Sequence, residues 1–302
     1  MLKLYILVLV KGNLKMKIKI ITDSSCDLSC DYIKENDLEV IPFPYSIDGK
    51  EYIDDFGKSL SYQDFYNELR NGRLPSTSQI TAFTFENVFK KYILEGYSVI
   101  YLGFSSQLSQ TFNNAIIAQN ILLEENPDAD ISLVDTKSAS VGLGAIVYYA
   151  NELLKQGKTK NEIVKWVEEN KLKSNHWFII DSLDHLKRGG RISATSAAVG
   201  TILDVKPVLN LDDYGKLNVV QKVRGRKKSI RALIDELQNI KEPENQVLFI
   251  NHGDCLKDAE QLKELVLKEV NVKDVVINYV GPIIGSHTGP GMLCLVFMGE
   301  KR

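Results

Sequence analysis

Short apolar runs separated by helical patterns are the feature that most limits how this chain can fold. KIKIIT, SVIYLGF and DISLVDT read as strands, and the patterns over 85–94, 114–124 and 145–155 read as helices. Such alternation calls for an α/β architecture with largely parallel sheets. A second set of apolar runs begins near residue 160: NHWFIID, KPVLNLD, KLNVVQKV, QVLFINH, VVINYV and MLCLVFM, with helical patterns over 229–240 and 257–270. This text is richer in strands, and Asp212-Asp213-Tyr214-Gly215 between two of them is a hairpin turn signal. The change predicts an N-terminal α/β domain over 16–160 with a largely parallel sheet, and a C-terminal α/β domain over 161–302 with a mixed sheet.

Charge narrows the partners. Thirty-seven basic against 39 acidic residues leave a net charge of −2, so nothing favours nucleic acid as a bulk partner. Four cysteines at 26, 30, 255 and 294 form no CxxC pair, which predicts free thiols in a reducing cytoplasm. The apolar run LYILVLV near the start is too short to span a bilayer and lacks a signal-peptide cleavage site. Residues 1–15 are therefore expected to be a loosely attached extension, with Met16 as the natural start.

Hydroxyl residues gather where the strands end. Thr22-Asp23-Ser24-Ser25, Pro75-Ser76-Thr77-Ser78-Gln79, the loop from Ser105 through Ser106 and Ser109 to Thr111, and Asp135-Thr136-Lys137-Ser138-Ala139-Ser140 all follow this pattern. Capping a helix needs one such side chain, and the Ser105–Thr111 loop holds four. Strand C-termini of an open α/β sheet lie along one edge, where ligands bind at the switch point, so these loops can converge on one polar group. Helix N-termini add unpaired N–H groups, and hydroxyls both donate and accept, which suits a carboxylate without a metal.

Nucleotide motifs are absent. Gly142 and Gly144 of SVGLGAIV lack the third glycine of a dinucleotide fingerprint, and Gln156-Gly157-Lys158-Thr159 lacks the opening glycine of a phosphate loop, so Gly157 is read as a helix cap. HLKRGGRIS at 185–193 places cations around a Gly-Gly turn suited to phosphate or acidic groups. KVRGRKK at 222–228 has no interleaved aromatics and reads as a solvated or protein-docking face. GPIIGSHTGPG from Gly281 sets His287 in what reads as a Gly/Pro-fixed loop that presents the ring.

ITDSSCDLS, PSTSQIT, SSQLSQT, VDTKSASVGLG, LKRGGRIS, the Lys-Pro strand followed by KVRGRKK, and GSHTGPG occur in the order typical of the DegV family. From about Lys17 to the C-terminus the chain resembles the fatty-acid-binding subunit of bacterial fatty acid kinase. The resemblance implies a two-domain fold with a palmitate- or oleate-like fatty acid between the domains and no cofactor, metal or catalytic residue of its own. Thr77 and Ser109 would hold the carboxylate, Ser78, Ser105 and Ser106 would shape the cradle, and His287 would stand beside it. Arg191 and Arg224 would face a separate ATP-dependent kinase that makes the acyl phosphate for phospholipid synthesis, and neither is expected to line the acyl tunnel. Such a protein is cytoplasmic and touches membranes at most transiently. Two positions depart from the family pattern: Gln110 stands for the usual glycine and Ile80 for the usual proline. Two other classes stay open at this point: a serine acyl-transfer enzyme using Ser109 or Ser106 with His287, and a lipid sensor without a kinase.

Overall fold

The computed structural model describes residues 17–193 and 204–302. The expected extension 1–15 and start at Met16 lie outside the described residues. The first strands are β1 (Lys17–Asp23), β2 (Glu39–Ile41), β3 (Pro44–Ile47), β4 (Lys50–Ile53), β5 (Ser76–Thr77), β6 (Tyr97–Gly103) and β7 (Ile131–Asp135). Four of them form a parallel sheet in the order β2-β1-β6-β7. Of its inner strands, β6 is buried along nearly its whole length and reads as a continuous apolar run, whereas β1 enters at the exposed Lys17 and is buried from Lys19 onward. The chain leaves β1 toward one side and β6 toward the other, so the switch point falls where Asp23 and Gly103 end side by side.

Later strands are β8 (Ser174–Ile179), β9 (Val205–Leu211), β10 (Leu217–Arg224), β11 (Val247–His252), β12 (Asp274–Tyr279) and β13 (Leu293–Met298). They form a mixed sheet in the order β10-β9-β8-β13-β11-β12, antiparallel except for the β11–β12 pair. The fold class is therefore α/β, with a parallel sheet and a mixed sheet. Alternation divides the mixed sheet's faces: Trp177, Ile179, Leu248, Leu293 and Leu295 pack with Leu233 and Leu262 of helices Arg226–Asp235 and Leu256–Glu269. Phe178, Phe249, Cys294 and Val296 face the other way, into the larger core shared with the parallel sheet.

Helix Val141–Lys155 lies between the sheets, touching β1 and β6 on one side and β8, β11 and β13 on the other. The two glycines that resemble a nucleotide motif serve this packing. A Cβ on Gly142 would come within 1.9 Å of the His176 ring, and one on Gly144 within 2.5 Å of the Cys26 carbonyl.

Most expected elements are present, with shifted ends. The helix expected from 85 spans Ala82–Leu94, because the Thr81 hydroxyl accepts the Thr84 N–H and opens it a turn earlier. Gly157 follows its helix with φ +79 and donates to the Leu154 carbonyl, as a glycine stop does. The hairpin between β9 and β10 closes at Asp212–Gly215, where the Gly215 N–H donates to the Asp212 carbonyl. The antiparallel sheet β4-β3-β5 was not anticipated. It pairs Tyr45 with Thr77 and so fixes the PSTSQ segment as an edge strand. The expected loop around His287 is instead helix Pro282–Thr288, with Pro282 in its first turn where its missing N–H costs nothing.

Candidate functional site

The loops leaving β2, β6 and β7 and the β5 segment meet the inner face of the mixed sheet around a cavity of about 250 Å³. Phe43, Phe104, Phe178, Leu211, Ile283 and Met292 give it an apolar body. Phe43 and Phe104 meet edge to face, with ring centroids 6.1 Å apart. The Asp23 carboxylate shapes the wall from behind: buried completely, it accepts the Tyr101 hydroxyl at 2.8 Å, the Phe104 N–H at 3.1 Å and both donors of Ser25. Burial raises its pKa against these bonds, so the donors are what keep an acid tolerable there.

Polar groups gather at one end. Thr77, Ser78, Ser109, Gln110, Arg191 and His287 all line the cavity there. Thr77 Oγ1 and His287 Nε2 share a hydrogen bond of 2.9 Å. His287 Nδ1 is buried without a partner among the described residues, packed so closely on Gly189 that a Cβ there would come within 2.2 Å. Burial, then Arg191, Arg188 and His185, push the His287 pKa down to about 4, so the ring is neutral at pH 7. Among the described residues no carboxylate lines the cavity. This end therefore offers hydroxyls, a neutral imidazole and a guanidinium with no built-in counter-charge, which is the chemistry of an anion seat.

The hydroxyl-rich loop after β6 does not act as one cradle. Ser109 lines the cavity, with its Oγ donating to Thr111 Oγ1 at 3.0 Å and accepting the Thr111 N–H at 3.2 Å. Ser105 turns away and donates to the Gly215 carbonyl at 2.9 Å, tying the β9–β10 hairpin to this loop. Ser106 accepts from Lys137 Nζ at 3.1 Å, beside the Asp135 carboxylate. Neither Ser105 nor Ser106 lines the cavity, so the expectation that they shape it is corrected to a role in holding the loop.

Arg191 also departs from expectation. It lines the cavity half-buried, with Nε donating to the Leu108 carbonyl at 3.1 Å and a terminal nitrogen to the Gly189 carbonyl at 2.5 Å. Arg224 ends β10 on the exposed surface and takes no part in the lining. His287 is not presented on a loop but mostly buried on its helix.

Both departures from the family pattern fit their places. Gln110 has φ −77 and ψ 1, open to any residue, and its side chain lines the cavity. Ile80 is buried, and its N–H, which a proline would lack, donates to Thr111 Oγ1 at 3.3 Å.

A serine–histidine pair does not assemble. His287 Nε2 is engaged with Thr77, Ser109 points its proton at Thr111, and Ser106 lies outside the cavity. His252 Nδ1 accepts the Cys255 N–H at 3.3 Å as a turn contact.

Sequence reasoning placed Ser140 in a hydroxyl segment but missed its link to Asp27. Ser140 lines the cavity with φ 51, a left-handed conformation, and its hydroxyl donates to the buried Asp27 carboxylate. Asp27 also accepts the N–H of Gly281, the residue that opens the His287 helix, at 2.9 Å. The positive φ of Ser140 has no counterpart in composition or spacing that could have revealed it.

A family description, "Uncharacterised protein, DegV family COG1307", matches residues 17–300. A DegV domain-containing protein of Clostridium perfringens is 48% identical over 287 residues, covering 95% of this chain and 99% of that protein. Among solved structures, a protein from Thermus thermophilus described as a fatty-acid-binding DegV family protein superposes with TM-score 0.85 at 28% identity, covering 94% of this chain and 100% of its own. A fatty acid binding DegV family protein of Streptococcus agalactiae superposes with TM-score 0.82 at 30% identity, covering 95% and 100%. With a match running from β1 to the last strand, this chain belongs to the DegV family.

Proposed function

We propose that this chain binds one long-chain fatty acid, with the carboxylate at the Thr77–Ser109–His287 end and the acyl chain along the apolar body. The observation that carries this reading is an apolar cavity with hydroxyls, imidazole and guanidinium at one end and no carboxylate among the described residues of its lining. The neighbours described as fatty acid binding support it. Each buried methylene contributes about 0.8 kcal/mol, so a sixteen-carbon chain gains roughly 11 kcal/mol before association costs. A ligand held that tightly survives purification.

In the same reading the chain is a carrier that offers the bound acid to a separate ATP-dependent kinase, which forms the acyl phosphate for phospholipid synthesis. Arg224 on the surface and Arg191 at the polar end are the groups suited to meet that kinase or the phosphate it transfers. The cavity draws its lining from both sides of residue 160, which supports a division into units 16–160 and 161–302 with the ligand between them. Free thiols at 26, 30, 255 and 294 fit a reducing cytoplasm. Among the described residues no helix is long and apolar enough to cross a membrane, in keeping with a membrane contact that is transient.

Native mass spectrometry of protein expressed in bacteria, followed by lipid extraction, tests the core of the proposal. One fatty acid per chain is expected. A chain that retains none and takes up neither palmitate nor oleate would sink it.

A further inference from the structure

The end of the cavity opposite His287 is not purely apolar. Sheet register sets its direction: Met292 lies before β13 near the His287 end, Cys294 pairs with Phe178, and His176 lies two residues further along β8. Phe178 pairs with Leu209 on the neighbouring strand, which places Leu211, another lining residue, beside His176. An imidazole thus stands where a simple acyl chain would end or bend.

That ring has one nitrogen to spare. His176 is 2% exposed, and its Nε2 lies 2.9 Å from Ser174 Oγ. The Ser174 hydroxyl donates to the Gly142 carbonyl at 3.3 Å, so Nε2 carries the proton and donates to Ser174. Nδ1 is then an acceptor, and it is buried with no partner among the described residues. The Nε2 and Cδ2 edge is pressed onto Gly142, where a Cβ would come within 1.9 and 2.1 Å, so Nδ1 is the ring nitrogen left without a partner in a residue that lines the cavity. Burial, and then the Arg302 guanidinium, hold the ring neutral. A buried acceptor with no donor is costly, and none of the described residues supplies one.

We infer that His176 Nδ1 accepts a hydrogen bond from a hydroxyl carried on the acyl chain, so that the ligand class includes hydroxylated long-chain fatty acids. This rests on the fatty-acid reading and sharpens it. In a wholly apolar tunnel a chain hydroxyl would lose its water without replacement, and every hydroxylated acid would bind more weakly than its parent. His176 removes that penalty at one chain position only, because the ring is fixed by Ser174 and Gly142. Selection is therefore by the position of the hydroxyl along the chain.

The test uses the delipidated full chain and calorimetric titration with stearate and with hydroxystearates bearing the hydroxyl at mid-chain, two-thirds along and at the terminal carbon. One isomer is expected to bind at least as tightly as stearate, and the others about tenfold more weakly. His176→Phe should weaken that isomer about tenfold more than it weakens stearate, and an unchanged circular dichroism spectrum shows that the variant is folded. His176→Gln, which keeps an acceptor oxygen, should preserve part of the preference. If every isomer binds wild-type protein more weakly than stearate by similar factors, or if His176→Phe weakens the preferred isomer no more than it weakens stearate, the inference is wrong. Stearate itself failing to bind would bring down the fatty-acid reading instead.

Discussion

Thr77 Oγ1 and His287 Nε2 meet at 2.9 Å although 210 residues separate them in the chain, one on an edge strand and the other on a short helix. The contact fixes the imidazole at the polar end of the cavity, because Nδ1 has no partner of its own among the described residues. Thr77→Val keeps the side-chain shape and removes the hydroxyl. It should weaken palmitate binding by about 1 to 3 kcal/mol, the cost of leaving a buried polar partner unmatched, with little change in the circular dichroism spectrum. Unchanged affinity would remove Thr77 from the carboxylate site.

Ser109 separates carrier from hydrolase. As a hydrogen-bonding residue, Ser109→Ala should lower fatty acid affinity by about 0.5 to 3 kcal/mol. Wild-type protein mixed with an activated acyl ester should give no burst of product. Stoichiometric acylation of Ser109, abolished by His287→Ala, would favour the enzyme and count against the carrier.

Acid and base should act on the delipidated protein through opposite groups. His287 titrates near 4 in the fold against an ordinary 6.5, so the stability it contributes is full above 6.5 and lost as pH falls toward 4. Asp27 runs the other way: burial pushes it up to about 7 from an ordinary 3.8, so its contribution is full below 3.8 and lost as pH rises through 7. Asp23 and Asp54, also raised by burial, add to the Asp27 trend. Asp27→Asn should therefore raise the melting temperature relative to wild type at pH 8.5 more than at pH 5, in scans taken at about those two values. His287→Asn should flatten the acid side. A melting difference for Asp27→Asn that grows as pH falls would contradict the assignment.

Gly215 joins the hairpin to the loop after β6. It has φ +86, and a Cβ would come within 2.3 Å of Ser105 Oγ, whose proton goes to the Gly215 carbonyl. Gly215→Ala should destabilise the protein by about 1 to 3 kcal/mol through strain and crowding together, read by urea unfolding. An effect within a few tenths would mean that the hairpin is only loosely attached.

The parallel sheet was legible because β6 is buried along nearly its whole length and so appears as an apolar run, with KIKIIT and DISLVDT as further strand signals. The site's position followed from the same sheet, since strand ends converge at the switch point. Which hydroxyls line the cavity was not legible from the strand-end pattern, where only the family resemblance set Ser109 apart. Ser105, Ser106 and Ser109 are equivalent in the text, and only the hairpin tip at Gly215 and the ammonium of Lys137 decide that two of them turn away. His287 was misread because Gly and Pro signal turns locally, whereas Pro282 here opens a helix whose N-cap residue, Gly281, donates its N–H to Asp27 at the far end of the sequence. His176 gave no signal at all, since a histidine within an apolar strand reads as core.

The two arginines, treated alike in the sequence, should now behave differently. Arg191 reaches the cavity, holds the Leu108 and Gly189 carbonyls, and contributes to the field that keeps His287 neutral. Arg224 lies exposed at the end of β10, outside the lining. Arg191→Ala should therefore weaken fatty acid binding and raise the His287 pKa, as well as slow acyl-phosphate formation with a cognate kinase and ATP. Arg224→Ala should leave the lipid bound and reduce turnover alone. Both assays belong on one preparation, because lost lipid by itself stops turnover. Measured as retained fatty acid per chain and acyl phosphate formed per minute, the split between the variants is the decisive result. If Arg191→Ala retains lipid as well as Arg224→Ala does, its place in the cavity wall does not matter for binding. If Arg224→Ala supports normal turnover with lipid in place, the kinase meets this protein elsewhere.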